Sequence, residues 1–348
     1  GWLLDQTGPL TIRWPHLPAL IPFLGRMILE SHPSRYKQNA KALNQLTNLA
    51  VPEWNKLIKN TKSEDLIRPV GWLKVFESDA SFNTYGNSVI ESCKQFGVRC
   101  EALNEDELRQ LEPHLSSAFK HGILQPDSSF VTNPQKLLNQ LTERFIDAGG
   151  ILTRKNIQRI EPHKDQCLLF AEDGDILTVS NLLISAGGWS NKLLKSFGQS
   201  VNLQVERGYH AMIRHSDKGP LLGRPTMFVD NMFVMAPMEE AMRLTCQVEL
   251  AEVDSAPDYR RLRRLVAESK RLIPDLSMDV ESEWMGPRPS QPDSVPTIAA
   301  LPDYPYIKLA FGHQHLGVTM AAVTGRVVSD IFAGRNPDID LAPYRVFR

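Results

Sequence analysis

The chain has 348 residues, 42% of them hydrophobic, with 39 Lys+Arg against 40 Asp+Glu and a net charge of −1. At about 150 residues per domain this is some two domains' worth of chain with ample material for cores, which excludes global disorder. No basic surplus is present to neutralise phosphates, so no nucleic-acid partner is expected.

The four cysteines, Cys93, Cys100, Cys167 and Cys246, form no CxxC pair and no Cys/His set with zinc spacing. They read as free thiols of a reducing compartment, and the expected location is cytoplasmic. No run of about 18 apolar residues exists, and no charged n-region precedes an apolar h-region, so neither a membrane-spanning helix nor a secretory signal is expected.

Residues 1–60 read as helices broken by Pro9, Pro15, Pro18, Pro22 and Pro33, with a polar amphipathic helix over 34–59. The apolar stretch 17–29 suits either a packed lid or core helix, or a surface that meets a membrane or a partner subunit. Strands are expected at 71–76 and 98–102, with a helix over 83–96 between them. Thr132-Asn133-Pro134 supplies a helix start, Leu137, Leu138, Leu141, Phe145 and Ile146 an apolar stripe, and Gly149-Gly150 a stop. Strands follow at 151–153 and 157–161, then a hairpin of 167–171 and 176–179 around Glu172-Asp-Gly-Asp175. A buried strand at 181–185 runs into Ala186-Gly187-Gly188 and a helix from about Ser190, the order in which a strand end meets a ligand at a glycine turn.

Residues 203–213 alternate. One parity holds Leu203, Val205, Arg207, Tyr209, Ala211 and Ile213; the other holds Gln204, Glu206, Gly208, His210 and Met212. Strands at 232–236 and 244–250 extend the same sheet. A helix with Ser255 as cap and Pro257 in its first turn buries Leu262, Leu265, Val266, Leu272 and Ile273, and Arg260, Arg261, Arg263 and Arg264 form its solvated face.

Three stretches could carry chemistry; the chain contains no GxSxG elbow, Walker A loop, HExxH or EF-hand loop. After a strand at 307–311, the loop Gly312–Gly317 opens a helix with Gly317, Ala321, Ala322 and Gly325 near one side. Its free N–H groups suit an anion or a ring that gains negative charge, unless it is only a tightly packed helix start. His313 and His315 share one strand face but have no further ligands nearby, so no metal is expected. Arg288, between Pro287 and Pro289, sits on stiff extended backbone where a guanidinium can clamp a carboxylate or pair with Asp293. Arg207 falls among apolar neighbours and must find a partner or border a cavity, and Tyr209 shares its face.

Taken in order, these stretches resemble the FAD-dependent D-amino-acid oxidase/dehydrogenase family, nearest to bacterial D-amino-acid and D-hydroxyproline dehydrogenases. The matching segments are 71–76, 108–115, 126–138, 182–190, 206–210, 284–296 and 311–326. The resemblance implies α/β plus α+β architecture in two interleaved domains. A Rossmann-like FAD-binding domain would take 123–199 and 285–348, a substrate domain with a mixed, largely antiparallel sheet covered by helices would take 61–122 and 200–284, and 1–60 would bridge them.

It further implies that Ala186, Gly187, Gly188 and Trp189 lie against FAD and that Gly312, His313, Leu316, Gly317, Val318 and Thr319 face the flavin ring. Ile157 would approach the adenine, Arg288 would clamp the substrate carboxylate, and Tyr209 would line the cavity. The implied reaction is hydride transfer from a D-amino or cyclic imino acid to flavin, with oxygen or a quinone as final acceptor and the inner face of the membrane as a further location. Two local departures stand out: Gln314 where glycine is usual, and Glu239-Glu240-Ala241-Met242 in place of a glycine-containing hairpin tip, which reshapes the cavity rim. The family opens with GxGxxG, which this chain lacks, so a piece missing before Gly1 is expected. The alternative is a truncated or degenerate relative without FAD, serving as a binding module or partner-dependent subunit.

Overall fold

The computed structural model describes residue 8 and residues 10–348; Pro9 lies outside them. The opening segment is not wholly helical: strand Leu10–Ile12 adds in parallel to the end of strand Ala241–Leu250. Helix Leu17–Glu30 continues through Pro22 instead of breaking there. Pro22 falls in the second turn, so the donor it lacks would have served only the carbonyl at the very start of the helix. Leu20 packs on Ile12 and Leu250, while Ile21, Ile28 and Leu29 stay exposed. Among the described residues no helix is long and apolar enough to cross a membrane.

The main body is a mixed sheet of nine strands. Its spatial order begins Val280–Ser290, Gln204–Arg214, Ala241–Leu250, Phe233–Pro237, Thr226–Phe228 and continues through Trp72–Phe76, His121–Gln125 and Glu101–Leu103. Neighbours run antiparallel except Thr226–Phe228 on Trp72–Phe76 and the added Leu10–Ile12. One face of this sheet packs Ala211, Ile213, Met242 and Leu244 against Leu262, Leu265 and Val266 of helix Arg260–Leu272. That helix starts later than expected, and Ser255 is not its cap. Residues 255–258 are held outside the helix, where the carbonyls of Ser255 and Ala256 accept from Arg207 and the N–H of Asp258 donates to Tyr209. Within the expected solvated face, Arg261 is buried.

A second, three-stranded sheet joins Leu182–Ile184 and Ile307–Phe311 in parallel, with Thr297–Ala300 antiparallel on the far side. Leu183 is half-exposed on its edge strand, unlike the wholly buried strand expected there. A three-stranded meander, Ile157–Pro162, Cys167–Ala171 and Ile176–Val179, lies nearby and turns at Gly174 with φ 91°. The strand expected at 151–153 does not form, since nothing pairs with it and Ile151 is 86% exposed. Helix Gly317–Phe332 packs along Pro33–Ile58 through Met320, Val323 and Val327 on Ala42 and Leu46. Part of its small-residue side is filled by protein: Ala322 lies in a cluster with Trp54, whose indole N–H donates to the carbonyls of Val318 and Thr319.

Candidate active site

The alternation of strand Gln204–Arg214 divides its residues between two environments. Val205, Arg207, Tyr209, Ala211 and Ile213 are buried on the core side, and Glu206, His210 and Met212 are half-buried on the other. Arg207 is fully buried and meets Glu249 at 3.0 Å. The Tyr209 hydroxyl accepts from Arg207 Nη2 (2.9 Å) and from the N–H of Asp258 (3.1 Å), and donates to Glu249 Oε2 (2.5 Å). A charged pair taken out of water needs its remaining lone pairs filled, and the tyrosine does this. Tyr209 is therefore enclosed on the sheet face opposite Arg288, and the structure does not bring these two sequence-derived candidates together.

Arg288 belongs to strand Val280–Ser290, an edge strand, where Pro287 and Pro289 cost no ladder bonds on the open side. Its register sets Arg288 opposite Glu206, Gly286 opposite Gly208 and Trp284 opposite His210, so Arg288 shares the half-buried polar face. The guanidinium lies flat over Gly208: a Cβ there would fall 1.9 Å from Nη2. Gly286 likewise makes room for the Trp284 ring, which leans on His210 at a centroid distance of 5.1 Å. Across the bulge in strand Ala241–Leu250, where Gln247 has φ 69°, the Gln247 carbonyl accepts from Arg288 Nη1 at 3.1 Å. Asp293 is not the partner of Arg288; it pairs with Arg348 at 2.5 Å. Among the described residues no carboxylate forms an ion pair with Arg288, and burial lowers its pKa although the charge of Glu206 works the other way. A desolvated guanidinium with free donors is a receptor for a carboxylate.

Two glycine turns approach the strands that carry Arg288, the first packing on the Val205 and Pro287 side and the second reaching the polar face. Leu182–Ile184 and Ile307–Phe311 are parallel neighbours, so the turns that follow them leave the sheet at the same edge, where open α/β sheets receive ligands. In the first, Gly187 takes φ 55°, and Trp189 closes a short turn onto the Ala186 carbonyl. Gly188 is packed tightly; a Cβ would come 2.9 Å from Val205 and 3.7 Å from Pro287, which sets this turn beside the residue preceding Arg288. In the second, Gly312 takes φ 87°, and a Cβ there would strike the Gln291 side-chain amide at 2.5 Å. Gln314 adopts the left-handed φ of 48° that glycine would accept more readily, and its amide donates to the Gln291 carbonyl.

His315 Nε2 lies 3.5 Å from Glu206 Oε2, tying this turn to the Arg288 face. His313 turns away, with Nε2 3.0 Å from Thr324 Oγ1, and burial lowers its pKa to about 4. Leu316 precedes the first turn of helix Gly317–Phe332, and Gly317, Val318 and Thr319 form that turn. Ile157 stands apart at the start of the meander, half-buried against the cluster of Ile184 and Leu309.

Both turns leave room at a glycine. No atom lies within 4 Å of a Cβ built on Gly187, and the nearest to one on Gly317 is 3.9 Å away. The free N–H groups of the helix start give this wall a positive end. These residues fit the ring end of a flavin; a glycine cradle for its pyrophosphate of the GxGxxG type is not among the 348 residues. Glu206, Gly208, His210, Gln247 and Trp284 were not singled out by the sequence, although the second parity of the 204–214 strand contained three of them. A glycine inside a strand was the available signal for close approach by another group.

Residues 25–331 match the FAD dependent oxidoreductase family, DAO. A D-amino-acid oxidase of Bradyrhizobium diazoefficiens is 30% identical over 349 residues, covering 99% of this chain and 82% of the relative. In fold the chain is similar to glycine oxidase from Geobacillus kaustophilus, with a TM-score of 0.77 at 21% identity over 87% of this chain and 81% of the other. It is also similar to L-proline dehydrogenase from P. horikoshii, with a TM-score of 0.75 at 15% identity over 87% and 82%. The cofactor of this family is FAD, and the mixed α/β architecture agrees with these folds. The family match runs through the polar strand face, both glycine turns and Arg288, and the chain belongs to the FAD-dependent oxidoreductase (DAO) family.

Proposed function

We propose that this protein oxidises the CH–NH bond of a D-amino acid or cyclic imino acid, with Arg288 as the residue that holds the substrate carboxylate. The observation that carries this reading is the guanidinium of Arg288 over Gly208, which gives one hydrogen bond to the Gln247 carbonyl and pairs with no carboxylate among the described residues, one residue from the glycine turn that packs on Pro287. FAD, when bound, supplies the acceptor for the hydride that leaves Cα. The groups that would hold its ring are the backbone of Ala186, Gly187, Gly188 and Trp189 and the helix start of Leu316, Gly317, Val318 and Thr319, with Gly312 and His313 shaping the second turn.

The protein's own contribution is positioning. A carboxylate fixed bidentately by Arg288 leaves the substrate few orientations, and the Trp284–His210 wall limits them further. His210 is pushed down to about 4 by burial and then by the charge of Arg243, so at neutral pH it adds no positive charge against a substrate amine. Hydride transfer needs no strong base on this face. The D configuration is supported by the 30% identical relative, a D-amino-acid oxidase. Arg288→Ala is expected to raise KM for the amino acid about tenfold or more, the loss of a charge-assisted hydrogen-bond pair, with bound FAD per chain unchanged. Loss of FAD with unchanged KM would overturn the assignment.

A further inference from the structure

The face that carries Arg288 also carries a second guanidinium. Arg243, on strand Ala241–Leu250, stands opposite Met212 on one side and Ala236 on the other. Among the described residues it makes no hydrogen bond and no ion pair, and its Nε is buried without a partner. Its register opposite Met212 sets it on the His210–Trp284 side of the sheet; burial lowers its pKa, and its charge lowers that of His210. An unpaired guanidinium in a partly dry setting is costly unless an anion completes it.

The space it borders is a cavity of about 410 Å³ between the first turn of helix Pro134–Asp147 and the tip at Glu239 and Glu240. The other cation there is already matched: Lys136 meets Glu239 at 2.7 Å, and the Asn133 side-chain amide donates to the same carboxylate at 2.9 Å. Glu240 is exposed and forms no ion pair with Arg243. Arg243 is thus the unmatched cation among the described residues of the cavity wall. Arg288 lies over Gly208, and Arg243 is level with Met212, four residues further along the same strand, or about 13 Å. Two guanidinia at this spacing on one sheet face suit a short chain with an acid at both ends.

We infer that Arg243 is a second anion position in the substrate site, and that the preferred substrate is an amino or imino acid whose side chain ends in a carboxylate. Arg288 takes the α-carboxylate and Arg243 the distal one. This rests on the function proposed above, and it names the substrate class.

The test is calorimetric titration of the FAD-loaded full-length protein with two unreactive probes, glutarate and butyrate. Glutarate is expected to bind about tenfold or more tightly than butyrate, the effect of one added charge-assisted contact. In Arg243→Met that ratio falls to near one, and Arg243→Lys, which keeps the charge, restores part of it. A wild-type ratio near one, or an unchanged ratio in Arg243→Met, overturns the assignment of Arg243. Butyrate binding that Arg288→Ala weakens, without any gain for glutarate, removes this inference alone. Butyrate binding indifferent to Arg288→Ala removes the proposed function and this inference with it.

Discussion

Side-chain direction decides which candidate residues can act together. Arg207 and Tyr209 were legible as residues needing partners, because a charge and a hydroxyl sat within an apolar parity. Sequence could not say whether a ligand or the protein would satisfy them, since Glu249 and the carbonyls of Ser255 and Ala256 lie some 40 or more residues away in the chain. The protein does so, and Tyr209 becomes part of the frame behind the site. Tyr209→Phe is expected to cost about 1–3 kcal/mol of stability by leaving Glu249 short of a donor, with KM for the amino acid unchanged. A denaturant melt and a KM measurement on the same preparation check this; a large KM change at wild-type stability would return Tyr209 to the site. Arg288 was legible through its flanking prolines, but the flat seat that Gly208 gives it depends on register across two strands.

Among the elements, those with strong local punctuation were readable. Asn133 caps helix Pro134–Asp147 through its side chain as expected, and the hairpin closes at Gly174. The start of helix Arg260–Leu272 was not readable, because Ser255 and Pro257 offer good local start signals that contacts to Arg207 and Tyr209 override. The turn before helix Gly317–Phe332 carries a pH-dependent element. His313 is held at about 4 when folded against 6.5 when free, by burial. Its folded pKa is depressed, so the unfolded chain binds the proton first. The stability linked to it is present in full above pH 6.5 and is lost as the pH falls towards about 4. Melting temperature should fall from pH 7 to pH 5, and His313→Gln should make that slope shallower. An identical slope in the variant would show that His313 does not titrate this way.

At the scale of the whole molecule, the composition allowed two domains' worth of chain, and the sheets of the described residues include one large mixed sheet and a smaller three-stranded one whose strands come from separated stretches of sequence. We read this as the interleaving that the family resemblance implied, with the polar face of the large sheet and the strand ends of the small one converging on Arg288. Local patterns could not show that convergence, because it arises where 182–189, 204–214, 280–290 and 307–319 meet. We propose that this meeting place presents a D-amino acid to FAD through Arg288. Anaerobic mixing of the FAD-loaded protein with matched D- and L-amino acids, followed by the flavin's visible absorbance, tests it most directly. Bleaching by D-isomers alone, with Arg288→Ala needing about tenfold more substrate, is the predicted result. Bleaching by L-isomers at the same concentrations, or bleaching that Arg288→Ala leaves untouched, would contradict it.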